Sequence, residues 1–408
     1  MILPLQAADP FPVLTQANIQ SAAQHASALQ AAGRMGEAAE LWARIVATAP
    51  RSAEARFNLG LSLLALERFG EAEAALRSAV QLKPKAAFMQ HRLGTLLQAT
   101  GRWAEAVAHH LAALETDPEL WRARLDLAHA YLGQGNFSRG WPLYEARRAA
   151  PGDEHLAAPP LANEWQGEPL PGRRLLVWPE QGYGDQIQFA RFLPELAARG
   201  AAVTLVTPPP LTALFGGLGV QVVERASRIE LPQPDYWTFL LSSPHHLGVR
   251  LETLSGAPYL AAPADRRARW AGYARKGAVG VVWQGRATPN PHRSLPSRDL
   301  LAPLAAAGAD LFDLQPEPGA DFADLAAVME QLDLIVTIDT AAAHLAGALG
   351  KPCWLLLPWF GADWRWMQGR DDSPWYASMR LFRQRAHGDW AGVIAEVVAA
   401  WRERARTP

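Results

Sequence analysis

Residues 332–358 read LDLIVTIDTAAAHLAGALGKPCWLLLP. An apolar run stops at Asp339 and Thr340, a small-residue stretch ends at Gly350, and a second apolar run, CWLLL, follows. Two short, continuously apolar runs flanking a helical pattern mark neighbouring strands of a parallel sheet buried on both faces. Other runs have the same texture: RRLLVWP (173–179), AAVTLVTP (201–208), VQVVE (220–224), AVGVVWQG (278–285) and DLFDLQP (310–316). Helical patterns such as LPSRDLLAPLAAAG (295–308) and FADLAAVMEQLD (322–333) separate them. The pattern restarts near residue 276, after the basic stretch DRRARWAGYARK (265–276). The expectation is two doubly wound halves, 172–275 and 276–408, with ligands bound at strand carboxyl ends in the cleft between them.

Towards the N-terminus the texture changes to a repeat. GRMGEAAELW (33–42), ERFGEAEAAL (67–76) and GRWAEAVAHH (101–110) align at a 34-residue spacing, and GNFSRGWPLY (135–144) follows in degraded form. Ala26, Gly60, Gly94 and Ala128 recur where paired helices approach closely, Ala38, Ala72 and Ala106 recur on the second helix, and Pro50, Pro84 and Pro118 close each unit. This period resembles the tetratricopeptide repeat, and the resemblance implies an α-solenoid over 19–150 with a concave protein-binding face. Gln24, Asn58, Arg92 and Asp126, two positions before each small residue, are the candidate acceptor-groove residues. A plain solvated helix face accounts for each of them singly. Residues 151–171, rich in Pro and Gly, read as a linker.

Bulk properties narrow the function. The chain of 408 residues is 49% hydrophobic and 19% charged, with a formal net charge of −1. No basic block offers itself to nucleic acid or an anionic membrane, and no apolar run is long enough to span a bilayer. Cys353 is the single cysteine, which excludes an intramolecular disulfide. The start, MILPLQAADPFPVL, lacks the positive flank of a secretory signal, so a cytoplasmic location is expected.

EQGYGDQIQFAR (180–191) follows the first strand of the first half. A dinucleotide fold would place a third glycine where Ile187 stands and an acid at the end of the next strand, which instead ends in Thr207 and prolines. What remains is a turn at Gly182 and Gly184 with Asp185 opening a helix, and taken alone Asp185 reads as a helix cap. In the second half Asp339 and Thr340 end a strand, with His344 one turn into the next helix. Trp283, Gln284 and Gly285 end another strand, Gln315 ends a third, and Arg293 lies on the loop RATPNPHRS. Helix-start N–H groups, the Thr340 hydroxyl and Arg293 suit a diphosphate, and Asp339 suits sugar or ribose hydroxyls.

G-x-G-D after the first strand paired with D-T-x-x-x-H-L late in the second half resembles the GT-B glycosyltransferases of the heptosyltransferase type. The order of parts is similar to bacterial proteins that fuse tetratricopeptide repeats to such a domain, including flagellin-modifying transferases, and to the O-GlcNAc transferases. The resemblance implies an inverting, metal-independent protein O-glycosyltransferase. A nucleotide-sugar would be the donor, with no cofactor and no metal, and Ser/Thr of a protein such as flagellin, delivered by the repeats, the acceptor. Asp185 would be the base, Arg293 would stabilise the leaving phosphate, and Asp339 and Thr340 would hold the donor. The stretch DWRWMQGRDDSPWYASMRLFRQ (363–384) is similar to a donor-side segment, which adds Trp364, Arg365 and Trp375. It also implies that the last helix, DWAGVIAEVVAAWRERA (389–405), crosses back to the first half. Ala341 stands where heptosyltransferases commonly have glycine, and TPNPHRS is richer in proline than its counterparts. Two rivals stay open: a non-catalytic repeat scaffold with a degenerate transferase domain, and an enzyme acting on a lipid-linked glycan. The repeats also allow a homodimer.

Overall fold

The computed structural model describes residues 11–150, 159, 161, 163–226, 233–288, 290–314 and 319–406. Two compact units divide the chain, Met1–Ala130 and Tyr131–Pro408.

The first unit is helical: α1 (Ile19–Ala31), α2 (Met35–Thr48), α3 (Ala53–Ala65), α4 (Phe69–Leu82), α5 (Ala87–Ala99), α6 (Trp103–Thr116) and the start of α7 (Trp121–Gly133). Helices adjacent in sequence pack on one another from α1 to α6. The repeat fixes both ends of each hairpin. The first position of the repeat motif has a left-handed backbone at Gly33 (φ 74°), Glu67 (φ 59°) and Gly101 (φ 83°), and only Glu67 meets that demand without being glycine. The next residue, Arg34, Arg68 or Arg102, pairs with Glu37, Glu71 or Glu105 in the first turn of the helix it precedes. Ala26, Ala38, Ala72, Ala106 and Ala128 are fully buried, as close helix approach requires. At Gly60 an added Cβ would lie 2.8 Å from Leu76 Cγ, so the small residue makes room for a large one on the partner helix.

The second unit takes in the end of α7 and α8 (Phe137–Tyr144), a 3₁₀ turn (Glu145–Ala149), and two sheets. The first sheet contains β1 (Arg174–Trp178), β2 (Ala202–Thr207), β3 (Gln221–Glu224) and β4 (Tyr236–Phe239), all parallel, in the order β3-β2-β1-β4. Short helices connect them: α9 (Tyr183–Phe189), α10 (Leu193–Ala198), α11 (Pro209–Phe215), and after β4 α12 (Ser243–Leu247) and α13 (Ala264–Arg269). Beyond the Pro-rich stretch, Asn163 and Trp165 exchange backbone hydrogen bonds with Trp237 of β4, and Trp165 is buried.

The second sheet contains β5 (Val279–Val282), β6 (Leu311–Asp313), β7 (Leu334–Ile338), β8 (Cys353–Leu357), β9 (Asp372–Ser373) and β10 (Tyr376–Arg383), in the order β6-β5-β7-β8-β10-β9. All pairings are parallel except β9 on β10. Every residue of β7 and β8 is buried, which is why their sequences are apolar without alternation. Helices α14 (Ala302–Ala306), α15 (Phe322–Met329) and α16 (Ala341–Ala348) are the crossovers. The last helix, α17 (Trp390–Arg406), packs on α14 and β10 and puts Trp390, Val393, Ile394 and Val397 into the core of this second sheet. The implied return of that helix to the first half is corrected accordingly: its apolar stripe is spent on its own sheet.

Strand order reverses direction between β5 and β7 in one sheet and between β1 and β4 in the other. At such switch points the crossover helices leave on opposite faces and open a crevice at the strand carboxyl ends. The loops after β1, β5 and β7 carry the residues singled out from the sequence.

Candidate functional site

The loop after β1 is held from below by a buried ion pair. Glu180, 2% exposed, accepts from Arg147 Nε at 2.9 Å and Nη2 at 2.7 Å, and from the Leu241 N–H at 3.0 Å. The next residue, Gln181, has φ 58°, a conformation that costs a non-glycine residue about 1 kcal/mol or more. Strain of this kind persists where the surroundings over-determine the backbone, and here the Glu180 anchor supplies that constraint. Gly182 then caps α9, and Asp185 Oδ2 reaches back to its N–H at 3.0 Å. The cap expected from sequence is therefore present. Gly184 serves close packing: an added Cβ would lie 2.9 Å from His344 Cδ2 and 3.3 Å from Ala341 Cα, so α9 rests directly on the start of α16.

Arg365 joins the two halves of the site. Its side chain is 6% exposed, and its Nη2 donates to Asp185 Oδ1 at 2.5 Å, its Nε to Gln188 Oε1 at 2.5 Å, and its Nη1 to both Asp363 oxygens at 3.1 Å. Its guanidinium also lies 4.5 Å from the Trp364 ring centre. Asp185 is thus a cap and an ion-pair partner at once, with a quarter of its side chain exposed. Trp364 and Trp375 are buried in an aromatic cluster with Trp141, where ring centres lie 5.8–6.4 Å apart.

The second strand-end cluster surrounds the N-terminus of α16. Thr340 is its N-cap in extended conformation, yet the side chain makes no cap bond and Oγ1 is a buried atom without a partner. Gly285 faces it: an added Cβ would lie 3.0 Å from Thr340 Cγ2 and 3.5 Å from Arg293 Nε. Arg293 is half-buried and held by carbonyls alone, donating from Nη1 to Asp339 O at 3.1 Å and from Nη2 to Arg286 O at 3.0 Å and Thr288 O at 3.3 Å. Its Nε has no partner, and among the described residues no carboxylate forms an ion pair with it. The loop that carries it is pinned by Asn290 Nδ2, which donates to Gly361 O at 2.9 Å. Burial, and then the neighbouring Asp363 carboxylate, push the Asp339 carboxyl up to about 7, against the pull of the Trp366 indole and the Arg293 and Arg365 guanidinium groups. His344 is buried, bonded through Nδ1 to Tyr376 Oη at 2.9 Å and stacked on Trp366, and burial drives it down to about 3, so the ring is neutral.

The structure therefore brings Gly184, Asp185, His344 and Arg365 together at one side, and Gly285, Arg293, Asp339 and Thr340 at the other, with α16 shared by both groups. Trp283 packs against the core of the second sheet, and Gln284 is exposed. Gln315 lies outside the described residues. In the helical unit Gln24 and Arg92 are exposed and Asn58 is half-buried, its carbonyl accepting from Gln30 Nε2 at 3.1 Å. Asp126 is engaged with His91 Nε2 and Thr95 Oγ1, each at 2.9 Å.

Sequence reasoning missed Gln188 and Asp363, which orient Arg365, Trp366, which stacks on His344, and the Arg147–Glu180 anchor. The only sequence signal for the first three was their proximity to residues already chosen, and the anchor had none.

Residues 24–87 and 91–154 match the tetratricopeptide repeat family. Protein FlbA of Caulobacter vibrioides is 26% identical over 321 residues, 67% of this chain and 53% of that protein, so the chain spans about half the length of this curated relative. Among solved structures, the crystal structure of MamA is similar with a TM-score of 0.31 and 22% identity, over 32% of this chain and 75% of that one. The first tetratricopeptide domain of Spaghetti (RPAP3), bound to the HSP90 peptide SRMEEVD, is similar with a TM-score of 0.27 and 19% identity, over 28% of this chain and 90% of that one. The chain thus carries tetratricopeptide repeats in its N-terminal region, followed by an α/β region built on two parallel sheets.

Proposed function

We propose that the α/β region is a GT-B-type glycosyltransferase that moves a sugar from a nucleotide-activated donor to a Ser/Thr hydroxyl of a protein gripped by the repeats. The observation that carries this reading is the anion cradle at β5 and β7. It consists of an arginine with no carboxylate ion-pair partner among the described residues, an unpartnered threonine hydroxyl, the N-terminus of an eight-residue helix, and a glycine that leaves room beside them. A diphosphate satisfies all of these groups at once. The Asp339 carboxyl, pushed up to about 7, carries only part of its charge near pH 7, so it faces donor hydroxyls with less repulsion of the phosphates than an ordinary carboxylate.

In the reaction Asp185 takes the proton of the acceptor hydroxyl as that oxygen bonds to the anomeric carbon. The bond from the anomeric carbon to the phosphate oxygen breaks, and the charge passes to the nucleotide, which Arg293 and the α16 N–H groups stabilise. Asp185 meets this task with both oxygens already accepting one hydrogen bond each, so the remaining lone pairs serve the acceptor. The ion pair with Arg365 favours a second reading, a nucleotide-binding repeat scaffold without turnover, in which Asp185 only ties α9 to the 363–367 segment. The acceptor class, a protein such as flagellin, rests on the resemblance and on the repeats.

The test is thermal stabilisation by UDP, GDP, ADP and CMP, one at a time. One of them should raise the melting temperature, and Arg293→Gln and Thr340→Ala should abolish the rise while leaving the unliganded transition close to wild type. No response to any nucleotide, or an equal response in both variants, overturns the donor site.

A further inference from the structure

The repeat itself contains one residue of the wrong kind. Position ten of the aligned motif is Trp42 in the first copy, Leu76 in the second and His110 in the third. All three are buried, Trp42 at 3%, Leu76 at 0% and His110 at 0% exposure. Leu76 fills the space beside Gly60, and the imidazole of His110 fills the equivalent space beside Gly94, where an added Cβ would lie 2.7 Å from Cε1 and 2.8 Å from Nδ1. An apolar slot has thus been given a polar ring. His110 Nε2 has a long contact to Gln98 Oε1 at 3.3 Å, and Nδ1 is buried with no partner. Leaving a buried ring nitrogen unsatisfied is destabilising unless something else binds it.

The groups around that ring suggest what binds it. His91, 9% exposed, sits on α5, His110 on α6 and Asp126 on α7, and one ligand-capable atom from each lies within 4.8 Å of the other two. His91 Nε2 and Asp126 Oδ2 are 2.9 Å apart, Thr95 Oγ1 donates to the same carboxylate oxygen at 2.9 Å, and the two imidazole rings are 5.6 Å apart. We propose that His91, His110 and Asp126 bind a divalent transition-metal ion of the zinc class, clamping three consecutive helices of the repeat. Two imidazoles and a carboxylate match the donors zinc takes, while magnesium and calcium demand all-oxygen sets. Three protein ligands leave a fourth position for water, and Thr95 is placed to orient the carboxylate from outside. Closing to a tetrahedral site asks the ligand atoms to approach to about 3.3 Å, given zinc–ligand bonds of ~2.0–2.1 Å.

The experiment uses the full, untagged chain freed of metal. Calorimetric titration with Zn²⁺ and the visible spectrum with Co²⁺ are recorded for wild type, His110→Leu and Asp126→Asn. His110→Leu places in the third copy the residue the second copy already uses, so folding is expected, and Asp126→Asn is isosteric should it fail. The wild type should bind one equivalent with a tetrahedral cobalt spectrum and a raised melting temperature, and each folded variant should bind at least 10-fold more weakly. Absence of stoichiometric binding by the wild type, or wild-type affinity in either variant, overturns the site.

Discussion

Adding one methyl group at Gly184 tests the contact on which the candidate site is built. The new Cβ would lie 2.9 Å from His344 Cδ2 and 3.3 Å from Ala341 Cα, short of the ~3.5–4.0 Å at which carbon atoms attract. His344 cannot swing aside, because Tyr376 holds its Nδ1 at 2.9 Å and Trp366 stacks on its face. The strain must be relieved by α9 backing away from α16, which also stretches the 2.5 Å bond from Arg365 to Asp185. Overpacking of this kind costs roughly 1–3 kcal/mol, and replacing a helical glycine by alanine returns about 0.5–1 kcal/mol. The net expectation is a loss of about 1–2 kcal/mol, or roughly 2–4 °C in Tm per kcal/mol for a unit of this size. Gly36 on α2 is the control: nothing lies within 4 Å of its added Cβ, so Gly36→Ala should stabilise. Denaturant unfolding of both variants supplies the measurement. A Gly184→Ala protein as stable as wild type would refute the close approach of α9 and α16, and with it the arrangement of Asp185 over that helix.

Asp185→Asn should lose about 1–3 kcal/mol, since one amide oxygen cannot both cap Gly182 and accept from Arg365, and charge-assisted bonds are worth ~1.5–3 kcal/mol. Single-turnover transfer by the folded fraction should fall by about 10²–10⁴-fold, and a fall of less than tenfold would leave Asp185 a purely structural residue. Asp339→Asn mimics the protonated carboxyl. Because the folded carboxyl sits at about 7, above its unfolded value of ~3.9, its contribution to stability is present at low pH and lost as pH rises through that interval. The Asn variant should therefore gain Tm over wild type at pH 8 and lose that gain by pH 4; a difference that does not change with pH would remove the buried-acid reading.

Much of this was legible because periodicity reports burial. The 34-residue spacing exposed the repeats, and continuous apolar runs exposed β1, β5, β7 and β8, of which β7 and β8 are buried along their whole length. YWTF (236–239) and YASMRLFR (376–383) escaped because they interleave aromatic with polar or charged residues, which breaks the continuous apolar run despite the prolines before each of them. Strand-end positions pointed to Asp339, Thr340 and Arg293, since topology alone makes such positions converge. The Arg365 hub was legible only as a resemblance: its partners Asp185 and Gln188 lie 180 and 177 positions away along the chain. Trp364, close to Arg365 in sequence, has its ring packed against those of Trp141, Tyr144 and Trp375. His110 stands in the sequence as a break in the repeat, a histidine where the copies before it have Trp42 and Leu76.

The Arg147–Glu180 pair fixes where this protein can be taken apart. The proline-rich stretch at 151–171 looks like the natural seam between modules, but Arg147, Trp141 and Tyr144 precede it and are buried in the same compact unit as the sheets. A cut at that seam would strand Glu180 as an uncompensated charge in the interior, a loss of the order of 3–5 kcal/mol, and would also tear Trp141 and Tyr144 out of an aromatic cluster. Recombination that exchanges one repeat array for another must cross over upstream, near Tyr131, and carry the last hairpin helix along with the sheets. The final repeat is thus divided, most of α7 lying in the first unit and α8 in the unit that holds the sheets, and an exchange that leaves the sheets intact is confined to the copies before it.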